Sequence, residues 1–257
     1  MKKLRIQFAF LHVLPLLCLS GIVLPAVTAA FDQPLVMVTE EWPPFRINDD
    51  TTHSGFRGID IDIVKQVADR LGVPISIQRH PWARALEMMR NGTADMITGV
   101  AHTEEREAFM QYVPVAYCSV RPVFFAQKGK GSLVRSYRDL SGKTIGYSLH
   151  SAYFEPFNSD TKLNKRGLST EQQLLQVLAL GRLDLIIGTE PNISYDRARL
   201  GYVEETEPTV YQPDETTELF FALSKKSGSI RYAGALAQVL QDLLTDGTVA
   251  AILEQYR

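Results

Sequence analysis

An eight-residue phrase occurs twice in this chain. Gly92-Thr93-Ala94-Asp95-Met96-Ile97-Thr98-Gly99 and Gly181-Arg182-Leu183-Asp184-Leu185-Ile186-Ile187-Gly188 both read G-x-x-D-x-I-x-G. A helix closed by glycine, a short turn and a four-residue apolar strand form a common αβ connection, in which glycine supplies the left-handed cap. The aspartate is expected to be structural, satisfying turn amides at the strand entrance. A chain carrying this unit twice is expected to build two similar α/β sheets.

The surrounding pattern agrees. Leu35–Thr39 is an apolar strand, broken by Pro43 and Pro44. Thr51–Gly58 reads as a loop. Ile59, Ile63, Val67 and Leu71 recur every four residues behind Asp60 and Asp62, which predicts an amphipathic helix ended by Gly72 and Pro74. Ile75–Gln78 reads as a strand, Trp82–Arg90 as a helix and Met96–Gly99 as a strand. The order then restarts with strand Lys143–Tyr147, a short helix from Tyr153 to Phe157, helix Glu171–Leu180 and strand Leu185–Gly188. Strand Thr217–Leu223 and closing helices at Ile230–Leu244 and Val249–Tyr256 complete it. Alternating strands and helices predict an α/β fold with mainly parallel sheets. Val123-Phe124-Phe125-Ala126 and Leu219-Phe220-Phe221-Ala222 echo each other at the edges of the second unit. If that unit is inserted into the first, these are the two crossings between lobes, and two crossing strands make a hinge. The expected division is residues 1–30 as signal peptide, 31–122 with 220–257 as one lobe, and 123–219 as the other.

The beginning of the chain points to export. Lys2, Lys3 and Arg5 precede a run without Lys, Arg, Asp or Glu from Ile6 to Ala30, ending Pro25-Ala26-Val27-Thr28-Ala29-Ala30. This reads as a secretory signal peptide cut near Ala29 or Ala30, and hence as a periplasmic protein. An uncleaved membrane anchor is the alternative, and Cys18 is poorly placed for lipidation. Three of the 27 basic residues fall in this segment and none of the 29 acidic ones does, so the remainder is net acidic. No Lys/Arg run suggests a nucleic-acid footprint. Cys118 is the one cysteine after residue 30, so no disulfide forms within the mature chain.

In open α/β sheets, ligands bind beyond the carboxyl ends of the strands. Gly99 and Gly188 mark two such ends. After Gly99 comes Thr103-Glu104-Glu105-Arg106; after Gly188 comes Thr189-Glu190. On facing lobes these place a cation opposite an anion, which suits a small zwitterion: arginine offers a bidentate fork to a carboxylate, and an acid or hydroxyl receives an ammonium. From spacing alone, Arg106 is a surface residue paired with Glu104 or Glu107, and Glu190 a solvated turn acid.

Several ordered segments raise these residues above that default. They are Glu41-Trp42-Pro43-Pro44-Phe45, Gly58-Ile59-Asp60-Ile61-Asp62, Trp82 through Asp95, and Thr103-Glu104-Glu105-Arg106. Asp139-Leu140-Ser141-Gly142-Lys143-Thr144-Ile145-Gly146, Gly181-Arg182-Leu183-Asp184 and Leu243 through Ile252 follow. In this order, over residues 33–257, they resemble the bacterial periplasmic solute-binding proteins of family 3, the amino-acid-binding type that serves ABC transporters.

The resemblance implies a two-lobed fold with two hinge strands and a ligand held between the lobes. It implies that Arg106, in T-x-x-R, holds the ligand α-carboxylate, and that Trp42 packs on the ligand while Phe45 belongs to the core. Trp82 lines or supports the pocket. Ser151 contributes a polar contact from the second lobe, with His150 standing where a glycine is usual. Gly99 marks the strand end. Ala101 takes the place of a small hydroxyl residue, and Thr189, beside Glu190, that of the ammonium-binding aspartate. The carboxylate end is therefore retained and the ammonium end altered. Arg84 is a candidate second cation, and two arginines would suit a dicarboxylate or an acid without an amino group.

Other chemistries are less supported. Ser141-Gly142-Lys143-Thr144 lacks the first glycine of a phosphate loop, since Tyr137 stands there. Gly146 through His150 is not G-x-S-x-G. His53, His80, His102 and His150 lack metal-ligand spacing. The expected protein is a monomer without metal or cofactor that binds an amino acid or related carboxylate and hands it to an inner-membrane ABC permease. The alternatives are a ligand-carrying sensor and a periplasmic enzyme on the same scaffold, similar to cyclohexadienyl dehydratases, with Glu190 as a general acid.

Overall fold

A computed structural model describes residues 33–256; the expected signal peptide lies outside the described residues. The first half of the chain builds β1 (Leu35–Thr39), a small hairpin of β2 (Ile47–Asn48) and β3 (Phe56–Arg57), α1 (Ile59–Leu71), β4 (Ile75–Arg79), α2 (Trp82–Asn91), β5 (Met96–Ala101), α3 (Glu104–Glu107) and β6 (Met110–Tyr112). Then come β7 (Cys118–Gln127), β8 (Thr144–Ser148), β9 (Asn164–Leu168), α4 (Glu171–Ala179), β10 (Leu185–Glu190), α5 (Asn192–Arg199) and β11 (Thr206–Pro208). The chain closes with β12 (Thr217–Ser224), α6 (Ala233–Thr245) and α7 (Thr248–Gln255).

The strands run in the order β4-β1-β5-β12-β7-β10-β8-β9. β1 is parallel to β4 and β5, and β8 is parallel to β9 and β10. Between these parallel groups lie two antiparallel strands. β12 pairs β5 and β6, and through Thr217–Leu219 it also pairs the first residues of β7, Cys118–Val120. From Arg121 to Ala126, β7 pairs β10 instead. One continuous strand thus runs from one half of the sheet into the other.

The repeated phrase performs the same job in each half. Asp95 donates its N–H to the Val36 carbonyl (2.9 Å), and its carboxylate accepts the Val36 N–H (2.8 Å). Asp184 does the same with Thr144, at 3.1 and 2.8 Å. The amide each carboxylate satisfies belongs to the neighbouring strand rather than to the turn, so each aspartate sets the register of two parallel strands. Gly92 caps α2 at φ 79, and Gly181 follows α4 at φ 71, a backbone region costly for other residues.

Both faces of the sheet are covered, as parallel strands require. Met37 and Val38, Phe124 and Phe125, and Ile186 and Ile187 point to opposite faces, and each pair divides between two separate clusters of buried side chains. Ile59, Ile63 and Val67 of α1 enter the first of these clusters.

Three local expectations differ. Thr51–Gly58 contains β3, paired with β2 through Asn48–Phe56 and Ile47–Arg57. Residues 153–157 are not a helix: Asn158 N–H bonds the Phe154 carbonyl and Asp160 N–H the Pro156 carbonyl as separate turns, because Pro156 has no N–H to continue a ladder. Tyr153, Phe154 and Phe157 are instead buried beside β7 and β8. The segment from Ile230 begins within a 3-10 turn, Gly228–Tyr232, before α6.

Candidate ligand-binding cleft

The carboxyl ends of β1, β5, β8 and β10 converge on one cavity. It encloses about 500 Å³, including its opening to solvent. Glu40 and Trp42 follow β1, Gly99 and Ala101 end β5, Ser151 and Tyr153 follow β8, and Thr189 lies near the end of β10. Arg46, Trp82, Arg106 and Glu171 complete its polar and aromatic wall.

Arg106 is placed by its own turn. Thr103 caps α3 by accepting the Arg106 N–H at 3.2 Å, which turns the arginine inward. The side chain is 5% exposed, so it is not the surface residue that spacing alone suggests. One guanidinium nitrogen donates to the Ala101 carbonyl (2.7 Å) and another to the His150 carbonyl (2.6 Å), while the guanidinium lies 5.6 Å from the Trp82 ring centre. Burial pulls its pKa down, but from so high a value that it stays a cation. Ala101 therefore contributes a carbonyl where the resemblance implies a hydroxyl side chain. The His150 carbonyl also accepts Trp82 Nε1–H at 3.3 Å. His150 adopts φ 63, the left-handed region, which explains why glycine suits this position.

A second cation is Arg46 rather than Arg84. Arg84 is exposed on α2 and lines neither this cavity nor the one beside it. Arg46 is 2% exposed and pairs with Asp60, which is fully buried at the start of α1. Asp60 also accepts Thr98 Oγ1–H (2.9 Å) and Tyr117 O–H (2.6 Å). Arg46 Nε donates to the Glu40 carbonyl at 3.2 Å, and the guanidinium lies 4.9 Å from the Trp42 ring centre. Trp42 in turn stacks on buried Phe45 at 4.5 Å. Gly99, at φ 65, is needed here for space: a Cβ would collide with Arg46 Nη1 and come within 3.1 Å of an Asp60 oxygen.

The opposite wall is acidic. Thr189 is buried and donates its hydroxyl to Glu171 Oε1 at 3.1 Å. Glu171 is the first residue of α4, 8% exposed, and its Oε2 has no partner. Burial pushes its carboxyl well above the usual range, and the Asp196 and Glu40 carboxylates add to this, against the Thr189 hydrogen bonds. Burial likewise pushes Glu40 up to about 7, against the pull of Arg46 and of the Trp82 N–H that bonds it at 3.2 Å. Glu190 is not part of this wall. It accepts the Ser194 hydroxyl at 2.5 Å and lines neither cavity. A second cavity adjoins the first and shares Glu40, Trp42, Ser151 and Glu171 with it.

Sequence reasoning missed Arg46, Asp60, Glu40 and Glu171 as a charged set. The available signal was the density of charge around Trp42-Pro43-Pro44-Phe45, where Glu40, Glu41 and Arg46 flank an apolar, proline-stiffened turn.

Comparison with known proteins decides the family. The model of the bacterial extracellular solute-binding proteins, family 3, matches residues 35–257. The chain belongs to this family. The probable amino-acid-binding protein YxeM of Bacillus subtilis is 23% identical over 206 residues, covering 77% of this chain and 75% of its own. The L-cystine-binding protein TcyA of the same organism is 23% identical, covering 84% of this chain and 77% of its own. Among solved structures, an ancestral arginine-binding protein bound to arginine aligns with TM-score 0.74 at 22% identity, over 87% of this chain and 97% of its own. A histidine kinase sensor domain with similarity to periplasmic binding proteins aligns with TM-score 0.76 at 18% identity, over 88% and 96%. These alignments give the two-lobed α/β binding-protein fold. The relatives named here are binding proteins and a sensor domain, and solute binding is the family's common activity. Among the described residues no helix is long and apolar enough to cross a membrane.

Proposed function

We propose that the protein is a periplasmic binding protein for an amino acid or related small carboxylate, which it holds between two lobes and delivers to an inner-membrane ABC permease. In this reading residues 31–122 with 220–257 form one lobe and 123–219 the other. The observation that carries it is Arg106. A buried guanidinium lines the cavity, flanked by Trp82, and one of its bonds goes to a backbone carbonyl of the opposite segment, at His150. A ligand carboxylate offers that guanidinium a charged acceptor in place of a neutral one, and such a charge-assisted bond contributes about 1.5–3 kcal/mol. Trp42 and Trp82 supply aromatic surface, and Ser151 and Thr189 polar contacts. Ligand contacts to both lobes would favour the closed arrangement by population shift.

The reading is tested by thermal-shift screening of amino acids and small carboxylates, followed by calorimetric titration of the compounds that stabilise the protein. Arg106→Ala is expected to weaken binding by about 10- to 150-fold, the equivalent of the lost charged bond. Unchanged affinity would show that the carboxylate anchor lies elsewhere.

A further inference from the structure

The two arginines of the cleft are held in different ways. Arg46 is held by Asp60, so its charge is answered within the chain. Among the described residues no acidic side chain forms an ion pair with Arg106. Its guanidinium bonds go to neutral acceptors, the Ala101 and His150 carbonyls. Carbonyls fix a guanidinium in place without cancelling its charge, which stays available to an anion. An acceptor can fix a donor only if it is itself held. Ala101 is the last residue of β5, and the Thr103 cap lies two residues beyond it.

One phenol holds both. Tyr112 ends β6, paired with Ala222 of β12, and is buried at 8% exposure. Its ring meets His102 at 4.7 Å and Phe220 at 5.9 Å between ring centres. These three residues line an outer groove, and Tyr112 does not line the ligand cavity. Such ring contacts ask only for a ring, which phenylalanine would supply. The hydroxyl is engaged elsewhere: it donates to the Ala101 carbonyl at 3.0 Å and accepts the Thr103 N–H in a longer bond of 3.4 Å. The Ala101 carbonyl is the acceptor of Arg106 Nη1, and the Thr103 side chain is the cap that turns Arg106 inward. A single oxygen therefore pins the two residues that set the arginine. The two side chains also support each other: burial raises the Tyr112 phenol and the Arg106 cation opposes it, while burial lowers the guanidinium and the phenol opposes that.

We propose that Tyr112 is a positioning residue for solute binding: its hydroxyl holds the Ala101 carbonyl and the Thr103 cap so that the Arg106 guanidinium meets a ligand carboxylate in one fixed orientation. The inference rests on the carboxylate-binding reading of Arg106 and deepens it. Tyr112 lies outside the cavity and acts through Arg106. A guanidinium already fixed in place loses less freedom when a ligand binds. The hydroxyl should therefore matter by a similar factor for every carboxylate ligand and leave the choice among them unchanged.

The test is Tyr112→Phe, which keeps the ring and removes one oxygen. The common L-amino acids and L-cystine are titrated calorimetrically into the wild type, Tyr112→Phe, Arg106→Ala and the double variant. Tyr112→Phe is expected to weaken each compound that binds by about 3- to 12-fold, the equivalent of one hydrogen bond. With Arg106 already replaced by alanine, the same change is expected to cost less than about twofold. Losses that multiply across the two substitutions overturn the inference and leave the carboxylate reading intact, because a merely structural hydroxyl would weaken both backgrounds alike. Unchanged or tighter binding by Tyr112→Phe overturns it as well. The ligand-free protein gives a second reading. Rotation of the Arg106 guanidinium about Nε–Cζ, followed by NMR of arginine-labelled protein and assigned by the signals lost in Arg106→Ala, is expected to quicken about fivefold or more in Tyr112→Phe. Equal rotation in the two proteins overturns the inference. If Arg106→Ala leaves affinity unchanged, the carboxylate reading falls and the role of Tyr112 in binding falls with it. If no compound binds, the rotation measurement alone decides whether Tyr112 positions Arg106.

Discussion

The Arg46–Asp60 pair should dominate the response of this protein to substitution in its cleft. Both side chains are essentially inaccessible, at 2% and 0% exposure, and Asp60 takes two further hydrogen bonds from Thr98 and Tyr117. Removing one member of such a pair leaves an uncompensated buried charge, which costs about 3–5 kcal/mol. Replacing both removes the charge problem, so the losses should not add. Asp60→Asn is isosteric and keeps an oxygen for Tyr117, but sets an amide or a weaker acceptor against the guanidinium. Arg46→Met removes the cation and leaves a carboxylate with two hydroxyl donors. With a urea dependence of about 2–3 kcal/mol per molar, each single variant should lose about 1–2.5 M in unfolding midpoint. The double variant should recover at least about 2 kcal/mol of the summed loss, the upper part of the range for directly contacting residues. Urea unfolding of the wild type and three variants, followed by tryptophan fluorescence, completes the cycle. Losses that add within about 0.5 kcal/mol, or single losses below about 1 kcal/mol, would refute the reasoning.

Two further predictions concern the same wall. Gly99→Ala should destabilise by about 2–4 kcal/mol, because overpacking against Arg46 costs about 1–3 kcal/mol and the left-handed backbone about 1 more; the reading is again the urea midpoint, with little change expected at solvent-facing Gly55→Ala beyond its backbone cost. Glu40 gives a pH dependence: its carboxyl is raised from 4.5 to about 7, so the folded state binds more protons than the unfolded one across that interval. Its contribution is fully present below about pH 4.5 and is lost as pH rises through about 7. Melting temperatures of Glu40→Gln should therefore fall less between these limits than those of the wild type, and parallel curves would exclude the assignment.

The scaffold was legible because its signals are local. Glycine at 92 and 181, aspartate three residues on and an apolar tetrapeptide beyond require only a helix stop and a strand start, and Asp95 and Asp184 do hold the same place against Val36 and Thr144. Elements without an apolar rhythm were not legible. β9 reads Asn-Lys-Arg-Gly-Leu and lies at the edge of the sheet, where one neighbour suffices and charge discourages further pairing. α5 reads Asn-Ile-Ser-Tyr-Asp-Arg-Ala-Arg and buries Asn192, Ile193 and Asp196, two of them polar, so a hydrophobic period cannot find it.

The charged wall was hidden for a different reason: each of its members has a sufficient local explanation. Glu171 begins a helix, where an acid is favoured by the dipole. Asp60 also begins one, Arg46 ends a proline-stiffened turn, and Glu40 follows a strand. None of these explanations requires burial, and burial is what turns four ordinary charges into a site. Position 189 illustrates the limit most clearly. Compared along strand ends, it lacks the expected acid and carries threonine, and the ammonium end looks lost. In space, the hydroxyl of that threonine holds a carboxylate at 3.1 Å, reached from a helix 18 residues earlier in the chain. A hydroxyl there is therefore compatible with an acidic wall, and Thr189 has to be read together with Glu171: an acid placed at 189 would set a second carboxyl against one that burial already holds above the usual range, whereas threonine gives it a hydrogen-bond donor.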